Sequence, residues 1–176
     1  MNVHLCCGTI LRKGWLNVDV LDCGQEVVAD LSARWDFLND NSVESIYCKD
    51  GFEHQVSVEH FLAESSRVLR PGGILEIWVP HFKNPSAYRV THRHRFSWSY
   101  FNVYPEPHDR VQDLRVASNK IYVGHKGSLF WRPIHYFINL LPRWWERLCY
   151  VSNVEVVFEK REQWQGNKRQ STYQQV

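Results

Sequence analysis

The sequence predicts an α/β fold whose sheet is mostly parallel. Five short apolar segments in the first 80 residues each end in turn residues, which is the pattern of buried parallel strands. A helical pattern joins the last two of them, as in a strand–helix–strand crossover. The five predicted strands cover residues 3–5, 16–20, 26–29, 45–48 and 74–79.

The predicted crossover helix covers residues 56–69. Apolar residues such as Phe61 and Leu62 recur there at the spacing of a helix face. Pro71-Gly72-Gly73 follows directly and predicts the end of the helix and a turn.

The first crossover is unusually short. Ten residues separate Leu5 from Leu16, which is fewer than a parallel connection through a helix usually needs. The sequence therefore predicts that the helix at this position is vestigial or absent.

The chain changes character after residue 80. Residues 81–98 are rich in histidine, arginine and aromatic side chains, a composition typical of a functional loop. Two further strands are predicted at 116–123 and 154–159. The segment between them, 134–149, predicts two short helices that are broken at Pro142.

Length and composition predict one domain, residues 1–162, followed by a polar tail, 163–176, that we expect to be disordered. The net charge of +2 does not favour nucleic acid as a partner. Five cysteines without a CxxC pair argue against zinc and against a secreted disulfide framework. No signal-peptide pattern and no apolar run of membrane-span length is found, so we expect a cytoplasmic protein with no membrane span.

Two features near the N-terminus indicate a nucleotide-like ligand. Cys6-Cys7-Gly8-Thr9 follows the first strand, where small residues allow a ligand to approach the backbone, although an ordinary turn has the same composition. Asp19 ends the second strand, where a carboxylate can accept hydrogen bonds from both ribose hydroxyls. The alternative for Asp19 is a solvated strand end. The acid of dinucleotide enzymes stands about 20 residues beyond the glycines, so the shorter spacing here disfavours NAD.

Two of six matching segments are Gly14-Trp15-Leu16-Asn17-Val18-Asp19 and Arg67-Val68-Leu69-Arg70-Pro71-Gly72-Gly73. Together the six segments resemble class I S-adenosylmethionine-dependent methyltransferases, in particular a compact bacterial group with GWxNVD and RVLKPGG motifs. The resemblance implies a single-domain, Rossmann-like sheet, mostly parallel with an antiparallel C-terminal strand and reduced N-terminal helices. It implies S-adenosylmethionine as the cofactor and no metal. The matching segments are 5–9, 14–19, 30–31, 40–47, 52–54 and 67–80.

The resemblance also implies a cofactor site. Asp30 would face the adenine amino group and the Leu31 backbone would lie beside the ring, although Asp30 could instead cap a short following helix. The segment that begins at Lys49 would meet the sulfonium end of the cofactor. The predicted cofactor-binding residues are Cys6, Cys7, Gly8, Thr9, Asp19, Val20, Asp30, Leu31, Lys49 and Asp50.

The catalytic candidates are two histidines. His54 corresponds to the histidine of an LEH motif in the resembled group, and its imidazole could take a proton from an attacking hydroxyl. His92 is the second candidate, and a purely structural role is the alternative. The 81–98 loop would form the acceptor wall through His81, Arg93, His94, Arg95 and Phe96. A solvated loop with aromatic side chains packed beneath it is the alternative.

The predicted function is methyl transfer to a small-molecule or saccharide acceptor, at oxygen. A non-catalytic binding or assembly module is the first alternative, because Cys6 stands where the resembled group has glycine. An RNA methyltransferase is the second, although acidic residues after the loop disfavour it.

The open first crossover predicts a homodimer that covers the pocket edge. Trp144-Trp145 favours core or dimer packing over a membrane-surface helix.

Overall fold

The computed structural model describes residues 1–105, 109, 111–124 and 129–162. Its strands are β1 (Asn2–Leu5), β2 (Leu16–Asp19), β3 (Val27–Val28), β4 (Val43–Lys49), β5 (Leu69–Pro80), β6 (Leu114–Tyr122) and β7 (Asn153–Lys160). They form one sheet in the order β3-β2-β1-β4-β5-β7-β6. Strands β1 to β5 are parallel, and β7 is antiparallel to both of its neighbours. The predicted α/β class and the seven predicted strands are confirmed.

Four α-helices accompany the sheet in the described part of the chain: α1 (Val58–Val68), α2 (Trp98–Asn102), α3 (Arg132–Leu140) and α4 (Pro142–Leu148). The hydroxyl of Ser57 accepts a hydrogen bond from the His60 amide and so caps α1. The predicted break at Pro142 is confirmed, whereas α2 was not predicted. None of these helices is long and apolar enough to cross a membrane. The predicted disordered tail, 163–176, lies outside the described residues.

The helix end predicted before Pro71-Gly72-Gly73 is confirmed, but these residues lie within β5 and do not form a separate turn. Val43 pairs with Leu69 and Ser45 pairs with Ile74, so several residues of β5 stand opposite one residue of β4. Gly72 has a φ of +74°, which glycine adopts without the penalty of a side chain. The segment is therefore a bulge inside a strand.

The first crossover, residues 6–15, contains no helix, as predicted. Asn17, which is 1% exposed, holds it from inside. Its Oδ1 accepts from the Arg12 amide at 2.8 Å, and its Nδ2 donates to the carbonyl oxygens of Arg12 and Trp15, each at 3.1 Å. The Arg12 guanidinium lies 3.5 Å from the centroid of the Tyr47 ring, a cation–π contact with β4. Side-chain hydrogen bonds thus replace the helix that usually covers this connection.

The connection between β3 and β4 also lacks a helix, and it is fixed to α1. Trp35 is buried, and its ring meets that of Phe61 edge-on with a centroid distance of 5.2 Å. Its amide donates to a carboxylate oxygen of Glu64 at 2.8 Å, and its carbonyl accepts from Arg67 at 3.1 Å. The indole nitrogen donates to the carbonyl of Leu31 at 3.1 Å. These contacts hold the residues that follow β3 in one place.

Replacing the buried amide Asn17→Ala should lower the free energy of unfolding by about 2–3 kcal/mol, because several backbone groups of the first crossover lose their partner. Urea unfolding measures this change. The matched control is Asn39→Ala, since Asn39 is exposed and should change stability by less than about 0.5 kcal/mol. Equal stability of the two variants would show that Asn17 does not hold the crossover.

Candidate functional site

A cavity of about 670 Å³ lies at the carboxyl ends of β1 to β4. This is where ligands bind to open α/β sheets, because neighbouring connections leave in opposite directions on either side of β1. Eight residues predicted from the sequence line it: Cys6, Gly8, Asp19, Val20, Asp30, Leu31, Asp50 and His54. The strand ends thus bring together most of the predicted cofactor residues and one predicted catalytic histidine.

The turn after β1 is left-handed at two positions. Cys6 has a φ of +54° and Gly8 a φ of +50°. A residue with a side chain adopts this conformation at a cost of about 1–2 kcal/mol, which explains why glycine suits position 6. The side chain of Cys6 is accommodated because Gly51 lies opposite, where an added Cβ would overlap with the Cβ of Cys6. Gly51 lines the cavity and was missed, although it stands between two predicted site residues.

Asp19 connects the turn to the second strand. One carboxylate oxygen accepts from the Gly8 amide at 2.9 Å, and the other accepts from the Leu21 amide at 3.1 Å. Each oxygen has a second lone pair and can accept a further hydrogen bond from a ligand. Asp19 is therefore an oriented carboxylate in the cavity wall.

Asp30 and Leu31 lie at the end of β3, on the same wall. An oxygen of Asp30 accepts from the Ser32 amide at 2.8 Å, and this hydrogen bond lowers the pKa of the carboxyl group. The residues that follow form turns, so the alternative that Asp30 caps a helix is wrong. Asp30 is exposed and ionised at the cavity edge.

Three predicted cofactor residues do not line the cavity. Cys7 is buried because its amide donates to the carbonyl of Val18 at 3.1 Å, which turns its side chain into the core. Burial raises the pKa of its thiol to about 11. Thr9 and Lys49 are exposed and do not line the cavity.

His54 lines the cavity with one ring edge fixed. Its Nδ1 lies 3.0 Å from the carbonyl oxygen of Thr91, so Nδ1 carries the proton and Nε2 can accept one. The His92 ring stands almost perpendicular to it, with an interplanar angle of 81° and a centroid distance of 4.5 Å. Burial, and then the nearby His54, lower the pKa of His92. His92 is thus a neutral imidazole at pH 7 that contacts the His54 ring but does not itself line the cavity.

The sequence did not predict Glu53 as a site residue. Nothing in the sequence indicates that this acidic residue, which directly precedes His54, is buried. Its side chain is 1% exposed, and Oε2 has no hydrogen-bond partner among the described residues. Burial raises its pKa to about 7. Its carbonyl oxygen accepts from the amides of Arg93 and His94 at 2.9 and 3.2 Å, which fixes the 81–98 loop against the segment after β4.

Most of the predicted acceptor wall has a structural role. His81 is fully buried, and its Nε2 is hydrogen-bonded to a carboxylate oxygen of Glu146 at 2.9 Å. Phe96 is buried because its ring stacks on Phe52 at a centroid distance of 5.1 Å. Neither residue reaches the cavity, which corrects their predicted role.

The remaining residues of the predicted acceptor wall do not line the cavity either. The Nε2 of His94 donates to the carbonyl of Gln55 at 2.9 Å. Arg95 lies over the Tyr88 ring at 4.7 Å, and Arg93 is exposed. Thr91 is the residue of this loop that lines the cavity. A ligand in the cavity would therefore contact Thr91 and His54 and none of the arginines of the loop.

Comparison with known proteins identifies the fold. Residues 16–77 match the family model described as a methyltransferase domain. The chain is similar to a SAM-dependent methyltransferase from Archaeoglobus fulgidus, with 14% identity, a TM-score of 0.59, and coverage of 90% of this chain and 85% of that one. The chain has a methyltransferase fold. The expected Rossmann-like methyltransferase sheet is therefore confirmed.

Two further solved structures have the same fold. A SAM-dependent methyltransferase from Mesorhizobium loti is 14% identical, with a TM-score of 0.57 and coverage of 90% of both chains. The [4+2]-cyclase SpnF is 12% identical, with a TM-score of 0.59 and coverage of 92% of this chain and 74% of that one. No curated protein matches the sequence. At these identities the likeness establishes the fold alone.

Adding a methyl group in Gly51→Ala should destabilise the protein by about 1–3 kcal/mol, because the new Cβ overlaps with Cys6. The double variant Cys6→Gly/Gly51→Ala should recover part of this loss, since the overlapping side chain and the strained φ are both removed. Thermal unfolding of the two single variants and the double variant measures the coupling. Additive effects would mean that the two residues do not constrain each other.

Proposed function

We propose that the protein is an S-adenosylmethionine-dependent methyltransferase that acts on an oxygen of a small-molecule or saccharide acceptor. The observation that carries the proposal is the oriented carboxylate of Asp19, which lines the cavity and accepts from the Gly8 amide. A carboxylate held at this point can accept both hydroxyls of a ribose. The matched methyltransferase domain, residues 16–77, contains Asp19.

The cavity suits the cofactor in size and chemistry. Its volume of about 670 Å³ lies within the range of small-molecule sites, about 300–1,000 Å³. Asp30 can accept from the exocyclic amino group of adenine. Leu31 and Val56 offer apolar contacts to the ring. The sulfonium end would then lie toward Asp50 and His54, after β4.

The reaction is an in-line displacement in this proposal. The acceptor oxygen forms a bond to the methyl carbon, the carbon–sulfur bond breaks, and its electron pair stays on sulfur to give S-adenosylhomocysteine. The hydroxyl proton must leave, and we assign His54 and His92 to assist that loss. His54 lines the cavity and its Nε2 is available, while most of the acceleration would come from positioning.

A non-catalytic or differently reacting module is the second candidate. Cys6 adds a side chain at a point where the cofactor would approach the backbone, and SpnF is named as a cyclase on the same fold. Screening of radiolabelled S-adenosylmethionine with cell extracts distinguishes the two candidates. Cofactor binding without transfer to any acceptor would favour the module.

Replacing Asp19→Asn should weaken the affinity for S-adenosylhomocysteine about 10- to 100-fold, because a charged acceptor of two hydrogen bonds becomes neutral. Titration calorimetry measures the affinity. The matched control, Asp22→Asn, changes an exposed acid that follows β2 outside the cavity wall and should bind as the wild type does. If Asp19→Asn binds as tightly as the control, the ribose assignment is wrong.

The exposed rim of the cavity supports a homodimer in this proposal. Val20, Leu21 and Val56 line the cavity and are 60%, 68% and 63% exposed. Apolar side chains around a ligand site are seldom left bare, and a second copy of the chain would cover them. Light scattering at micromolar concentration should give twice the 21.0 kDa chain mass. A monomer that binds the cofactor tightly would contradict this proposal.

A further inference from the structure

We propose that Glu53, His54 and His92 bind one divalent transition-metal ion beside the cavity that His54 lines. Each of the three offers one ligand atom, and these atoms all lie within 4.8 Å of one another. The sequence alone led us to expect no metal, because its cysteines lack metal-ligand spacing. The cluster instead brings together residues that are 38 positions apart in the chain, and it contains no cysteine.

Two atoms of the cluster are buried without a hydrogen-bond partner. They are Oε2 of Glu53 and Nδ1 of His92, and the described residues provide no donor or acceptor for either. Buried polar atoms in folded proteins are almost always paired. A cation in contact with both would supply the missing partner to each. The two unpaired atoms therefore point to a ligand, which a solvated surface cluster would not do.

The third residue is oriented as metal-binding histidines usually are. Nδ1 of His54 donates to the carbonyl oxygen of Thr91, and this kind of second contact fixes the ring and leaves the other nitrogen free for the ion. Metal–nitrogen bonds are about 2.0–2.1 Å long, so the ligand atoms must approach one another slightly on binding.

The ligand set favours one class of ion. Two imidazoles and one carboxylate bind Zn²⁺ and Fe²⁺, whereas Mg²⁺ and Ca²⁺ prefer sites made of oxygen atoms. Three protein ligands leave at least one coordination position open. Because His54 lines the cavity, an open position can face the acceptor.

The ion would also explain how both histidines assist the loss of the acceptor proton, because they would hold the ion to which the acceptor hydroxyl binds. A hydroxyl bound to a divalent ion has a lowered pKa and releases its proton to water more readily. This role rests on the proposed methyl transfer. The binding of the ion rests only on the geometry of the three residues.

The test is titration of the chelator-treated full chain with Zn²⁺ in a calorimeter, with Co²⁺ as a spectroscopic probe. We expect one ion per chain and Co²⁺ absorption bands typical of mixed nitrogen and oxygen ligands. Glu53→Gln and His92→Ala should each weaken Zn²⁺ binding at least tenfold. The control His60→Ala changes a histidine on α1 outside the cluster and should bind as the wild type does.

A thermal melt of each variant separates loss of the site from loss of the fold. Zn²⁺ should raise the melting temperature of the wild type and of His60→Ala, but not that of a folded Glu53→Gln protein. The proposal is overturned if no ion binds, or if His92→Ala and His60→Ala bind Zn²⁺ equally. Binding of S-adenosylhomocysteine to the metal-free chain tests the proposed function separately. Each of the two proposals can therefore fail without the other.

Discussion

The short connection between β1 and β2 is the constraint on which the rest of the structure depends. Ten residues must join two neighbouring parallel strands, which is too few for a covering helix. The connection has no helix to stabilise it. It is stabilised instead by the side-chain contacts of Asn17 and Arg12. The chain must also turn at once after β1, and it does so through left-handed backbone at Cys6 and Gly8. That turn brings the Gly8 amide to the carboxylate of Asp19, so the constraint on the fold also shapes the candidate site.

The arrangement of acids at the cavity could be predicted because it follows from the strands. Parallel strands end at the same edge of a sheet, so Asp19, Asp30 and Asp50 had to lie near one another once the strands were recognised. The bulge in β5 was harder to predict from the sequence. Pro71-Gly72-Gly73 has the composition of a turn, and it is part of a strand only because β5 pairs with β4. Helix α2 was missed because a five-residue helix has too few turns for a periodic pattern.

The acceptor loop could not be predicted from composition, because the same side chains serve a surface or a core. His81 is buried by Glu146, which lies 65 positions further along the chain, and no local pattern reports such a partner. Glu146 also accepts from the Ser99 hydroxyl at 2.7 Å, so this one carboxylate joins α4 to the loop. Phe96 is removed from the surface by its stack on Phe52. Glu53 was not predicted as a site residue, because an acidic side chain is expected to be exposed and this one is buried.

The contacts between the loop and the segment after β4 connect the core to the cavity. Phe52 lies in the aromatic core, the next residue, Glu53, holds the loop through its carbonyl oxygen, and His54 reaches the cavity while bonded to Thr91. Three consecutive residues thus contact the core, the loop and the site in turn. The His54 ring is oriented by the Thr91 carbonyl of the loop, just as the Asp19 carboxylate is oriented by the amides of Gly8 and Leu21.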